Sequence, residues 1–111
     1  MRIDMQHQGA VTVVKPQGPL NHEEAESMRA CLTDVSGKSL GRFVIDMASI
    51  SFVDSQGLEV LLDTGEELEK SGQVLKLCGV NETLREVLEL TELAEHFEHY
   101  EDATTAVRSF L

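Results

Sequence analysis

The chemistry this chain can offer is concentrated in four residues, Asp54-Ser55-Gln56-Gly57. They stand between the apolar Ile50, Phe52 and Val53 and an apolar run that begins at Leu58. A carboxylate followed by a hydroxyl suits three purposes. Asp54 or Ser55 can cap a helix by accepting a backbone N–H. The serine hydroxyl can act as a nucleophile, or it can accept a phosphoryl group. A capping box would place Glu or Gln three residues after the cap. That position is Gly57 counted from Asp54 and Leu58 counted from Ser55. Glycine in a first helical turn costs about 0.5–1 kcal/mol relative to alanine. Gly57 therefore implies a close approach to the backbone or an unusual dihedral.

The nucleophile reading is the weakest. A nucleophile elbow is G-x-S-x-G, and Val53 stands where its first glycine belongs. None of the four histidines has a sequence-level link to Ser55, and 111 residues are few for a hydrolase. Phosphate acceptance fits the physics better. A phosphoserine adds about −1.5 to −2 charges. A helix N-terminus stabilises it by about 0.3–2 kcal/mol. The neighbouring Asp54 opposes it by roughly 0.7–3 kcal/mol per unit charge at about 6 Å. These contributions nearly cancel, so the domain is expected to stay folded when modified. A partner packed on the same loop would have to desolvate a dianion with no such offset.

Other residues carry less. His96 and His99, with Glu95 and Glu98, have a spacing that can ligate a metal, but no cysteine or acidic cluster supports them, and a solvated polar face is expected. His22 is expected exposed. Glu59, Asp63, Glu66 and Glu67 form an acidic helix face, either solvated or meeting basic residues of a partner. Met1, Met5, Met28 and Met47 are scattered, and where buried they read as core filler. Cys31 and Cys78 sit among apolar neighbours and read as buried reduced thiols.

The elements that must hold the serine follow from pattern. Arg2 to His7 reads as a strand, Gln8-Gly9 as a turn, and Ala10 to Lys15 as a second strand ended by Pro16 and Gly18-Pro19. Asn21 with Glu24 predicts a capped helix, with Leu20 stapled to Ala25. Ala25, Met28, Leu32 and Val35 face inward, and Gly37 is placed to stop it. Arg42 to Met47 predicts a central strand. Leu58, Leu61, Leu62, Gly65 and Leu68 define a second helix closed by Ser71-Gly72, with Glu59, Asp63, Glu66 and Lys70 opposite. Val74 to Cys78 is a strand. Asn81 caps a third helix with Leu84, Val87 and Leu88 inside. Phe97 to Tyr100 reads as an edge strand, and Asp102 opens a last helix with Ala103, Ala106, Val107 and Phe110 inside. The result is an α/β domain over residues 1–111, with a mixed, mostly parallel sheet of four to five strands and about four helices.

Composition narrows the partners. Twenty acidic against nine basic residues give a formal charge of −11, which disfavours nucleic acid and anionic membranes and favours a basic or neutral docking face. There is no tryptophan to serve as a stacking platform. No run is apolar enough for a signal peptide or a membrane span, so a cytoplasmic location is expected.

The stretch VIDMASISFVDSQGLEVLL, residues 44–62, resembles the strand, loop and helix around the D-S-x-G motif of the STAS domain family, the anti-sigma factor antagonists of bacteria. The likeness extends to Gly18-Pro19-Leu20, the VLKLCGV strand and the segment from Asn81 to Leu93. It implies that Ser55 is phosphorylated by an anti-sigma factor serine kinase, whose ATP belongs to the kinase. No cofactor is implied for this chain, which would be a binding module rather than an enzyme. The unphosphorylated form would bind the kinase and free a sigma factor, and a phosphatase acting on phospho-Ser55 would reset it. Phe52, Asp54, Gln56 and Gly57 would lie with Ser55 at the partner face, beside Asn21 and Glu59. Two positions depart from the family's habit: Gln56 replaces a small Ser or Thr, and Asn21 replaces Asp. The resemblance also allows a scaffold that is never phosphorylated, as in a lipid-transport ABC complex or a stressosome-like assembly. It leaves open a monomer or a weak homodimer.

Overall fold

The computed structural model describes residues 1–111. Strand β1 (Arg2–Gln8) and strand β2 (Val11–Leu20) form a hairpin, its turn made at Gly9 with φ +63°. There follow α1 (Ala25–Ser39), β3 (Phe43–Asp46), β4 (Ile50–Val53), α2 (Ser55–Glu69), β5 (Leu75–Cys78) and α3 (Glu82–Leu90). A 3-10 turn at Ala94–His96, β6 (Phe97–Tyr100) and α4 (Ala103–Arg108) complete the chain. The sheet order is β1-β2-β3-β5-β6, with β4 also paired to β2. Only the β1–β2 pair is antiparallel. The sheet is thus mixed and mostly parallel, with β3 central, and it has six strands rather than four or five.

The sixth strand was not expected. The sequence reading ends β2 at Pro16, yet β2 continues to Leu20 and there pairs with β4. Backbone alternation explains how proline is tolerated. Thr12 N donates to Arg42 O and Gly18 N donates to Ser49 O, so even-numbered residues direct their backbone toward the β3/β4 side. Pro16 shares that parity. It falls after the last β3 partner, Val14, and before the first β4 partner, Gly18. Its missing N–H therefore costs no ladder bond.

Strand alternation divides the interior. Val14, Phe43, Ile45, Leu75, Leu77 and Phe97 point to one face, where Met28 and Leu32 of α1, Leu61 and Leu68 of α2, and Leu84 and Leu88 of α3 close the main core. Val11, Val44 and Cys78 point to the other face and meet Ala106 of α4. Lys76, also on that face, is buried beneath Ser109 and the Phe110 ring. Cys78 is buried and unpaired, and burial pushes its thiol up to about 12. Cys31 is also unpaired but only half-buried.

The ends of α1 also differ from the sequence pattern. Helix α1 starts at Ala25 rather than after Asn21. Asn21 Oδ1 instead accepts from Glu23 N and Glu24 N at 3.1 and 3.2 Å, holding a separate turn. Glu24 does not complete a capping box, because its carboxylate lies 2.8 Å from the Met1 ammonium. Gly37 stays inside α1. The helix stops where Leu40 and Gly41 adopt φ +55° and +80°. Val87 faces outward, 40% exposed, while Leu84 and Leu88 hold the inner face. Asn81 and Asp102 cap α3 and α4 as expected, accepting from Leu84 N and Thr105 N.

Candidate functional site

Strands β2 and β4 run parallel, and Leu20 is the register partner of Val53. The next residues, Asn21 and Asp54, therefore leave the sheet side by side at its carboxyl edge, where open α/β sheets present their sites. Asp54 adopts an extended backbone and is the N-cap of α2. Its Oδ1 accepts from Gly57 N at 2.9 Å. Its Oδ2 accepts from His22 N at 2.8 Å, across to the β2–α1 loop. Its own N donates to Leu20 O at 3.2 Å. The Gly57 bond first, and then the His22 bond, hold the Asp54 carboxyl below the ordinary carboxylate range.

Gly57 is explained by these contacts. A Cβ there would lie 2.2 Å from Leu20 O, 2.9 Å from Leu20 Cγ and 3.0 Å from Val53 Cγ1. What approaches the backbone closely is the chain's own β2, not an external molecule. Gly57 is buried, so the surface expected of it is absent. Its work is to let the head of α2 sit against Leu20.

Ser55 is the first residue of α2 and is exposed. Gln56 is exposed beside it, and Glu59 is exposed one turn on. Phe52 is 53% exposed although it lies in a strand. The β2–β4 register shifts between Gly18 and Leu20, and Ser51 and Phe52 are both exposed in succession. Asn21 is half-buried, its side chain spent on its own turn. The structure thus brings Asn21, Phe52, Asp54, Ser55, Gln56 and Glu59 to one edge, with Gly57 beneath. The cross-loop bond to His22 N left no sequence signal, because any non-proline residue can supply that donor.

Helix α2 carries Glu59, Asp63, Glu66, Glu67 and Glu69 and no basic residue within its span. Arg29 of α1 lies 2.8 Å from Asp63 and 3.9 Å from Glu26. Asp63 and then Glu26 and Glu59 raise the Arg29 pKa against the opposing effect of burial. These pairs are well exposed and add little to stability.

The histidines do not serve Ser55 or one another. His7 Nδ1 meets Thr12 Oγ1 at 3.2 Å, and His96 Nδ1 meets Glu69 Oε1 at 3.0 Å. His99 Nε2 meets Ala94 O at 3.2 Å. His96 and His99 are thus held by different elements rather than converging on a common point. His22 reaches the site through its backbone. No base is hydrogen-bonded to the Ser55 hydroxyl in the manner nucleophilic catalysis requires.

The site is thus an exposed serine at a helix head on a mostly parallel α/β sheet, behind a capping carboxylate that accepts one backbone bond at each oxygen. The family described as STAS domain matches residues 2–106. The chain belongs to that family. An anti-sigma F factor antagonist of Paenibacillus polymyxa is 24% identical over 92 residues, covering 82% of this chain and 79% of that protein. Among solved structures, a Thermotoga maritima protein superposes with a TM-score of 0.87 at 22% identity, covering 96% of this chain and 92% of the other. The phosphorylated form of the Bacillus cell fate determinant SpoIIAA gives 0.74 at 20% identity, covering 99% and 100%. These structural likenesses establish a shared fold. No helix is long and apolar enough to cross a membrane.

Proposed function

We propose that this chain is an anti-sigma factor antagonist, a cytoplasmic regulatory binding module whose partner choice is set by phosphorylation of Ser55. The observation that carries the reading is the exposure of Ser55 at the head of α2, with the capping bond supplied by Asp54. The serine hydroxyl is therefore not needed to hold the helix. A phosphate can be added without removing a structural contact, and the helix dipole offsets part of its charge. The name of the Paenibacillus relative and the fold shared with a phosphorylated protein support the same reading.

The partner that fits is an anti-sigma factor serine kinase that docks on Phe52, Gln56 and Glu59 around Ser55. Phe52 supplies apolar area, and the acidic face of α2 supplies charge for a basic or neutral surface. Phosphorylation makes that surface desolvate a dianion, so the complex separates. A phosphatase then restores the docking form.

The test is incubation with ATP and the cognate kinase, read by intact mass and peptide mapping. One phosphate is expected, and Ser55→Ala is expected to abolish it. Phosphate at another residue, or none on the wild-type chain, overturns the switch. Co-purification with a transporter ATPase instead of a kinase would make the chain a scaffold subunit.

A further inference from the structure

Asp54 poses a question that its capping role does not answer. Asparagine is as good an N-cap as aspartate, yet the cap here is a carboxylate. The geometry supplies a reason. Two backbone donors converge on it, Gly57 N on Oδ1 at 2.9 Å and His22 N on Oδ2 at 2.8 Å. A carboxylate offers acceptors at both oxygens, whereas an amide places a second donor against one of the two N–H groups. Asn21 cannot substitute, because its Oδ1 is occupied by Glu23 N and Glu24 N within its own turn. Asn21 therefore shapes the β2–α1 loop, and Asp54 ties that loop to the head of α2.

We propose that Asp54 is a positioning residue for partner recognition. It clamps the loop containing Asn21 and His22 to the first turn of α2, so that a docking protein meets both loops as one rigid surface around Ser55. The inference rests on the reading of Ser55 as the switch. It adds a second role to the expectation that the Asp54 carboxylate meets the partner, since each oxygen already holds a backbone donor of this chain. The bond to His22 joins segments 32 positions apart in the chain. Both bonds are of the charge-assisted kind, which are stronger than neutral ones.

The experiment uses Asp54→Asn, which keeps a capping oxygen for Gly57 N and loses the bond to His22 N. Asp54→Ser is the second variant, keeping one oxygen too short to serve two donors. Amide proton shifts by NMR are the first readout, on the chain without partner. The His22 amide is expected to lose its downfield displacement in both variants while the Gly57 amide keeps its own. In the wild type both amides are expected to move together as the carboxyl is protonated. A His22 amide indifferent to both variants overturns the clamp. The second readout is the steady-state kinetics of the ATP-dependent kinase that modifies the wild-type chain. KM for Asp54→Asn is expected to rise about tenfold, as for loss of one charge-assisted bond from a docking surface, with a smaller change in kcat. An unchanged KM overturns the role in recognition while leaving phosphorylation of Ser55 intact. Absence of phosphate on the wild type defeats the switch, yet the His22 shift still decides the clamp.

Discussion

Ser55, Asp54 and Gly57 each play a different part at the head of α2. Asp54 caps α2 and ties in a second loop, Gly57 lets the helix head reach Leu20, and Ser55 is left without a structural duty. Two opposed effects decide what Gly57→Ala would do. Alanine in a helix gains about 0.5–1 kcal/mol over glycine. The new Cβ, however, would stand 2.2 Å from the Leu20 carbonyl oxygen, a backbone atom that already accepts from Asp54 N. Overpacking of this kind costs about 1–3 kcal/mol. Gly57→Ala is expected to destabilise by a net ~1–2 kcal/mol in urea unfolding. A stabilised variant would mean that the helix head is free to shift. In the sequence this glycine implies a close approach or an unusual dihedral, and it is the close approach that is found, by an atom 37 residues earlier that has no local signature.

At the level of elements, the helices were more legible than the strands. The apolar steps Ala25, Met28, Leu32, Val35 and the caps at Asn81 and Asp102 gave helices where they stand. Strand β4 is only four residues, Ile50–Val53, and its apolar Phe52 is exposed, so hydrophobicity does not mark its buried face. Pro16 hid the continuation of β2, since its harmlessness depends on a gap between β3 and β4 that only the tertiary arrangement creates. Asn21 and Glu24 have capping-box spacing, but the Met1 ammonium takes the Glu24 carboxylate and α1 starts at Ala25.

The junction of α3 with β6 makes a prediction at the same scale. His99 Nε2 bonds to Ala94 O, while its Nδ1 is buried without a partner. Burial first, and then the positive charge of Arg85 on α3, lower its pKa against the smaller opposing effects of the Ala94 carbonyl and Glu89. The folded state therefore favours the neutral ring. That contribution to stability is fully present above the unfolded value of about 6.5 and is lost as the pH falls below it toward the lowered folded value. Urea midpoints of wild type and His99→Gln measured from about pH 7.5 to 5 are expected to converge as the pH falls. Parallel curves would show that His99 does not report on this junction. The His96–Glu69 pair contributes equally to both proteins, so the difference isolates His99.

Across the whole molecule, Ser55 sits on the carboxyl edge of a sheet whose main core lies beneath α1, α2 and α3. The fold class, the order of helices and the exposure of Ser55 were readable from the chain because periodicity and caps are local. The shape of the edge was not, because it depends on two loops brought together by the β2–β4 pairing. A net charge of −11 matters here as well. A phosphate added to an already acidic surface changes the total by a modest fraction, and it lies away from the core. Its effect is then concentrated on whatever is docked over Ser55.

The most direct test of that claim places phosphoserine at position 55 by site-specific incorporation, and measures the affinity for the cognate kinase by calorimetry beside an amide NMR spectrum of the free protein. Affinity is expected to fall by about tenfold or more, as when a docked surface must desolvate a dianion. Shift changes should be confined to the head of α2 and the β2–α1 loop. Unchanged affinity, or a spectrum in which the amides of the main core also move, would contradict it.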